Sequence, residues 1–269
     1  MMISERLIML AITGAILTGI SCSLVGSFVV RMNLSSLGFA MSHAAFAGAA
    51  LGLVLIIEPL LLSIVFSIGV AVLLGPLAEK AKLPTNVILG VIFSLMISLG
   101  LVFLTLIPQT AMTSTALSIL WGSILGMTVE NVLRLFVLTV VVVIVFALFF
   151  KEFQSIMFSR KLAEASGINT RYYYYLILFL TGITVAFALK LVGGLLVFAL
   201  MVNPTSAAYQ FFYDMKRIIF FSPVIGVICC LVGIIISFLV DLPTGASIAI
   251  VSSTIFAVSV VISPKRRRG

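Results

Sequence analysis

His43 is the only histidine in this chain of 269 residues, and it lies well inside a long apolar run. Neutral imidazole is a common metal ligand, and an ionisable group within a membrane-length segment is functional by default. Two readings therefore stand side by side: a ligand or gate residue for a translocated metal ion, or a histidine hydrogen-bonded to a neighbouring helix. One histidine cannot complete a metal site alone. Around it, Ala40, Ala44, Ala47 and Gly48 are small enough to let another helix approach closely. His43 is thus expected to face protein rather than lipid.

Other reactive groups are placed elsewhere. The eight carboxylates (Glu5, Glu58, Glu79, Glu130, Glu152, Glu164, Asp214 and Asp241) fall at the ends of apolar runs or between them. That placement counts against a proton- or sodium-coupled carrier, which keeps such groups inside the membrane. The sequence contains no Gly-x-x-x-x-Gly-Lys-Ser/Thr phosphate loop, no His-Glu-x-x-His and no Cys-x-x-Cys. It is expected to bind no cofactor and to catalyse no reaction of its own. Cys22, Cys229 and Cys230 lie within apolar runs and read as small buried thiols rather than a disulfide framework.

The elements that must carry these residues are membrane spans. Of the residues, 62% are hydrophobic and 9% charged, with a mean hydropathy of +1.36, far from the balance of a soluble domain. The runs Leu7–Val30, Leu37–Ile57, Leu60–Ala78, Val87–Ile107, Val132–Phe150, Tyr172–Leu189, Ile218–Val240 and Ala246–Ile262 are each about a bilayer long. Leu191–Val202 and Ala116–Met127 are shorter and read as half-spans or returns. Backbone groups in hydrocarbon must be paired within their own segment, and the runs do not alternate as barrel strands would. The expected fold is all-α, a polytopic bundle of about eight to nine spans in one permease-sized domain, 1–269. The first run is too long for a signal-peptide core, so it is expected to stay as a span.

Charge orients the bundle. With the C-terminal Lys265-Arg266-Arg267-Arg268 in the cytoplasm and Leu191–Val202 counted as a crossing, 13 of the 16 lysines and arginines fall on that side. Only Arg6, Arg134 and Lys190 fall on the other, which satisfies the positive-inside rule. The net charge of +8 thus reflects topology and contact with anionic lipid, not nucleic acid. The longest cytoplasmic segment, 151–171, holds Ser159-Arg160-Lys161-Leu162-Ala163-Glu164-Ala165-Ser166-Gly167. Ser159 is placed to cap a short helix and Gly167 to end it. Such a helix is either a plain connector or a place for a partner to push.

These segments together resemble the permease subunit of ATP-binding-cassette importers for zinc and manganese, over nearly the whole chain. The run Gly38-Phe39-Ala40-Met41-Ser42-His43-Ala44 resembles that family's Gly-Asp-Ala-x-Ser-His-Ala signature. Leu83-Pro84-Thr85-Asn86 through Phe93-Ser94 is similar to its Leu-Pro-Glu-Asp…Phe-Ser segment. Leu120-Trp121-Gly122-Ser123-Ile124-Leu125-Gly126 looks like its Leu-Phe-Gly-Ser-Ile-Leu-Gly run, and Phe158–Ile168 like its coupling segment. Leu191–Val197 with Asn203-Pro204, and Asp241-Leu242-Pro243-Thr244-Gly245-Ala246, resemble two further patterns. The resemblance implies a pore of two permease subunits, identical or not, in a prokaryotic plasma membrane. It implies a separate cytoplasmic ATPase that holds the ATP and docks on Arg160, Lys161, Leu162, Ala163, Glu164, Ala165, Ser166 and Gly167. It also implies an extracytoplasmic metal-binding protein, with uptake as the direction.

Two departures alter that expectation. The family's aspartate, one turn before the histidine, is Phe39 here, and its Glu-Asp pair is Thr85-Asn86. Manganese prefers oxygen donors, whereas zinc accepts nitrogen and sulfur. Zinc is therefore expected over manganese, with His43 contributing a ligand and Phe39 acting as a steric gate. A partner permease supplying the carboxylate, a substrate that is not a metal, and an ATP-independent secondary transporter remain the alternatives.

Overall fold

A computed structural model describes residues 5–107 and 127–265. The expected half-span at Ala116–Met127, the run Leu120–Gly126 and the basic residues Arg266–Arg268 lie outside them, save Met127 itself. The described residues are helical throughout. In chain order the helices are α1 Glu5–Arg31, α2 Ser35–Leu55, α3 Pro59–Ala81, α4 Thr85–Thr105, α5 Val129–Leu148, α6 Phe150–Phe158, α7 Arg160–Ala165, α8 Thr170–Val192, α9 Gly194–Phe211, α10 Met215–Val240 and α11 Thr244–Ile262. Among them α1, α2, α3, α4, α5, α8, α10 and α11 are long and apolar enough to cross a membrane. The chain is a polytopic all-α membrane protein.

Helix α9 corrects one expectation. The apolar run Leu191–Val202 reads as a half-span or a return, but the helix continues through Asn203-Pro204 to Phe211. Its 18 residues span about 27 Å, close to the hydrocarbon thickness. Hydrogen bonds to other helices explain how a polar stretch stays inside the bundle. Pro204 cannot donate to the carbonyl of Leu200, and Ser23 of α1 donates its hydroxyl there instead, at 3.1 Å. Thr205 donates to the Ser23 carbonyl at 3.3 Å. The Asn203 amide donates to Ser252 and Ser253 of α11, both at 3.0 Å. Gly193 alone separates α8 from α9, with φ +87° and ψ 152°. Only glycine adopts that backbone readily, and it turns the chain straight back.

The helices run alternately, and the connections show it. Arg31 at the end of α1 lines one cavity with Thr85 at the start of α4 and Thr170 and Arg171 at the start of α8. At the end of α11, Ser263 donates to the Gln210 carbonyl at 2.9 Å, and the Lys265 ammonium donates to the carbonyls of Tyr209 and Phe212. The C-terminal ends of α9 and α11 therefore meet. Arg31 is a hydrogen-bond neighbour of Tyr209, which brings α1 to the same end. This basic end also carries Lys80, Lys82, Lys151, Arg160, Lys161, Lys216 and Arg217 by helix direction. At the far end Arg134 of α5 binds Glu58, between α2 and α3, at 2.7 Å and Glu130 at 2.5 Å. The described carboxylates sit where the sequence puts them: Glu58 and Asp214 precede α3 and α10, and Asp241 follows α10.

Packing centres on α1 and α2. Lipid tails are as apolar as leucine, so close van der Waals contact rather than water exclusion holds such helices together. The buried face of α2 is small: Ala40, Ala44, Ala45, Ala47 and Gly48 are all enclosed. A Cβ at Gly48 would lie 2.3 Å from the Leu62 carbonyl oxygen of α3. Ser63 of α3 donates to the Ala45 carbonyl at 2.8 Å. That close seam leaves the other face of α2 to meet α4 and α9.

Candidate functional site

His43 lies eight residues into α2, about 12 Å from the basic end and so deep in the bundle. It is 3% exposed. Its Nδ1 sits 2.9 Å from the Phe39 carbonyl oxygen. A carbonyl only accepts, so Nδ1 carries the proton and donates. The Ser42 hydroxyl donates to the same carbonyl at 2.9 Å. In the neutral ring this tautomer leaves Nε2 with its lone pair, and no described residue hydrogen-bonds to it. A histidine held through one nitrogen by a backbone carbonyl, with the other nitrogen open, is oriented as metal-binding histidines are.

Aromatic rings wall the imidazole. Its centroid lies 4.8 Å from Phe39 and 4.6 Å from Phe93 of α4, edge to face in both cases. Phe39 is 4.3 Å from Phe93 and 5.3 Å from Phe198 of α9. All three phenylalanines are half-buried. Three helices thus meet at Phe39: α2 supplies His43 and Phe39 one turn apart, α4 supplies Phe93, and α9 supplies Phe198. Among the described residues, no group of three or more His, Cys, Asp or Glu side chains comes together. This chain offers one nitrogen donor in an apolar, aromatic chamber.

Of the residues singled out from sequence, His43 and Phe39 are brought into contact. Thr85 and Asn86 are not with them. They open α4 at the basic end, eight residues and about 12 Å before Phe93. Phe93 and Phe198 are the members that residue chemistry misses. Each lies on a different helix from His43, so no spacing in the sequence links them to it, although Phe93 lies inside one of the matched segments.

The segment 151–171 folds as expected. Helix α6 buries Phe153 and Ile156 against the bundle, where Phe153 meets Phe28 of α1 and Tyr173 of α8. Ser159 then accepts from the Leu162 amide and caps α7. Gly167, at φ +82°, ends it with a paired closure: its amide donates to Glu164 and that of Ile168 to Ala163, both at 3.0 Å. Arg160 Nε donates to Glu164 at 3.3 Å and to Thr170 at 3.2 Å. The hydrogen bond from Thr170, then Arg160, holds the Glu164 carboxyl below its ordinary value. Leu162 is exposed, as are Lys161 and Glu164. The result is a capped turn of helix pinned to the start of α8, with its outer face free.

Comparison with known proteins places this geometry. The chain is 29% identical over 258 residues to the manganese transport system membrane protein MntC of Listeria monocytogenes, covering 95% of this chain and 90% of that one. It is 29% identical to the manganese import system permease protein ScaB of Streptococcus gordonii, covering 96% and 91%. It is equally identical, over 251 residues, to the chelated iron transport system membrane protein YfeD of Yersinia pestis, covering 93% and 84%. The structure of PsaBC from Streptococcus pneumoniae in complex with Fab superposes with a TM-score of 0.87 at 27% identity, covering 98% of this chain and 94% of that one. The family model described as the ABC 3 transport family matches residues 4–263. The chain therefore belongs to the ABC 3 transport family.

Proposed function

We propose that this protein is the membrane-spanning permease subunit of an ATP-driven importer of a divalent transition metal. Residues 1–269 act as one permease domain in a prokaryotic plasma membrane, with the basic end and the C-terminus in the cytoplasm. The observation that carries the reading is the fixed tautomer of His43: Nδ1 donates to the Phe39 carbonyl and Nε2 is left open, deep in the bundle. An ion reaching that nitrogen must pass the Phe39, Phe93 and Phe198 rings, so Phe39 is the gate. The ion is cargo, held briefly, and a weak single donor suits release. Further donors come from a second permease subunit across the pore.

Helix α7, with Arg160 through Gly167, is the surface on which a cytoplasmic ATPase acts. Its link to α8 passes through Arg160, Glu164 and Thr170, so a push on α7 moves the start of α8. An extracytoplasmic metal-binding protein delivers the ion to the far end.

Metal choice divides two lines of support. The relatives named above carry manganese or chelated iron in their names. The donor chemistry here, imidazole without a carboxylate one turn away, favours zinc. We place zinc ahead of manganese on that ground. A second reading follows from the same chamber: three phenylalanines suit a metal carried in organic chelate better than a bare ion. The test is uptake into vesicles holding this chain with its ATPase and binding protein. Zinc, manganese and a chelated ferric ion are each offered with and without ATP. ATP-dependent zinc uptake in preference to manganese supports the reading; uptake that ignores ATP points to a secondary carrier, and uptake of the chelate alone selects the second reading.

A further inference from the structure

The basic end holds a cavity of about 390 Å³, apart from the chamber around His43. Three arginines line it: Arg31 from the end of α1, Arg160 from α7 and Arg171 from the start of α8. Among the described residues, no Asp or Glu lines it. Glu164 of α7 is engaged with Arg160 and Thr170. Thr85 and Thr170, the first residues of α4 and α8, also face the cavity. Both helices direct their N-terminal amides and positive dipole ends toward it. Three arginines, one of them paired with Glu164, and two helix starts thus converge on one concavity.

A second groove, about 360 Å³, adjoins it and shares Arg171 and Tyr175. Its remaining walls are largely apolar: Tyr172, Leu176 and Phe179 follow one face of α8 away from the basic end. A polar, cationic head space therefore opens onto an apolar channel that runs along a membrane-crossing helix. A basic end of this kind faces the leaflet richest in anionic lipid when it lies in the cytoplasm.

We propose that the two cavities together bind one anionic phospholipid. Its phosphate sits among Arg31, Arg160 and Arg171, and one acyl chain lies along Tyr172, Leu176 and Phe179. The head group bridges α1, α7 and α8, and so ties the short cytoplasmic helix to the bundle. Free phosphate offers the same oxygens but leaves the apolar groove empty, which is why the lipid is the occupant chosen.

The test is a titration of the detergent-purified full-length protein, read by native mass spectrometry, with dioleoyl phosphatidylglycerol, dioleoyl phosphatidylcholine and inorganic phosphate. Phosphatidylglycerol is expected to bind at least about tenfold tighter than phosphatidylcholine, and each arginine lost to cost about fivefold. Arg171→Gln and Arg31→Gln should show that loss, and Lys216→Gln, a basic-end residue outside the cavity, should not. Arg171→Lys keeps the charge and should keep most of the binding, which separates a lost site from a lost fold. Phe179→Ala should weaken the long-chain lipid more than a short-chain phosphatidylglycerol. Equal binding of the two lipids, or an Arg171→Gln protein that binds like the parent, overturns the proposal. Millimolar phosphate that displaces the lipid and binds alone as tightly also overturns it, because the cavity is then a phosphate site.

Discussion

The chamber around His43 and the basic end are built from opposite materials. The chamber has His43 beside the Ser42 hydroxyl, rings on three helices, and no charge within the same contacts. The basic end gathers arginines and lysines from seven helix ends, with hydrogen bonds of Arg160 and Glu164 with Thr170 tying the short helix α7 to α8. Under the proposed function, the first region serves a rare, brief contact with an ion in a low-dielectric space, where a single donor weighs heavily. The other faces water and head groups, where each contact is weak and many are needed. Single substitutions should therefore act sharply in the chamber and softly at the basic end.

The comparison is broken most directly at His43. His43→Ala should lower metal uptake by roughly tenfold or more, while the melting temperature in detergent stays close to that of the parent. A loss of uptake accompanied by unfolding would make His43 a packing residue instead.

Next in size is the proposed gate. Phe39→Asp places a carboxylate on the face of α2 that carries His43, and should shift the ratio of manganese to zinc uptake by roughly tenfold toward manganese. An unchanged ratio would leave the chamber's donor set irrelevant to selectivity. Ser23→Ala probes the packing that brings Phe198 to the chamber. It leaves the Leu200 carbonyl without its partner, and should cost about 1–3 kcal/mol in reversible unfolding.

The basic end should give the smallest effect. Glu164→Gln weakens the tie between α7 and α8, and should lower transport-coupled ATP hydrolysis by about twofold. The Glu164 carboxyl titrates below its ordinary value because it accepts from Thr170 and Arg160. A lowered folded value means that the ion pair is intact at neutral pH and is lost only as the pH falls through that lowered value. Coupling should hold from neutral pH down through the ordinary glutamate range, and Glu164→Gln should remove any decline seen below it.

Most of the architecture was legible because hydropathy and charge act locally. The spans are contiguous apolar runs, and the arginines and lysines mark one end. The caps Ser159 and Gly167 behave as their chemistry requires. Helix α9 was legible only as far as Val202, because the hydrogen bonds that admit Asn203, Pro204 and Thr205 come from α1 and α11. The chamber was half legible for the same reason. His43 and Phe39 share a turn, whereas Phe93 and Phe198 reach them through tertiary packing that no periodicity encodes. Thr85 and Asn86 carry the opposite lesson: replacing an acidic pair suggested a lost ligand, yet their place at the start of α4 is far from the imidazole.

The most direct test of His43 as the point of metal passage is uptake of zinc and manganese by cells carrying the complete transporter, parent beside His43→Ala at equal membrane abundance. The expected result is ATP-dependent zinc uptake by the parent, above its manganese uptake, and little of either by the variant. Equal uptake of both metals by the two proteins would contradict it.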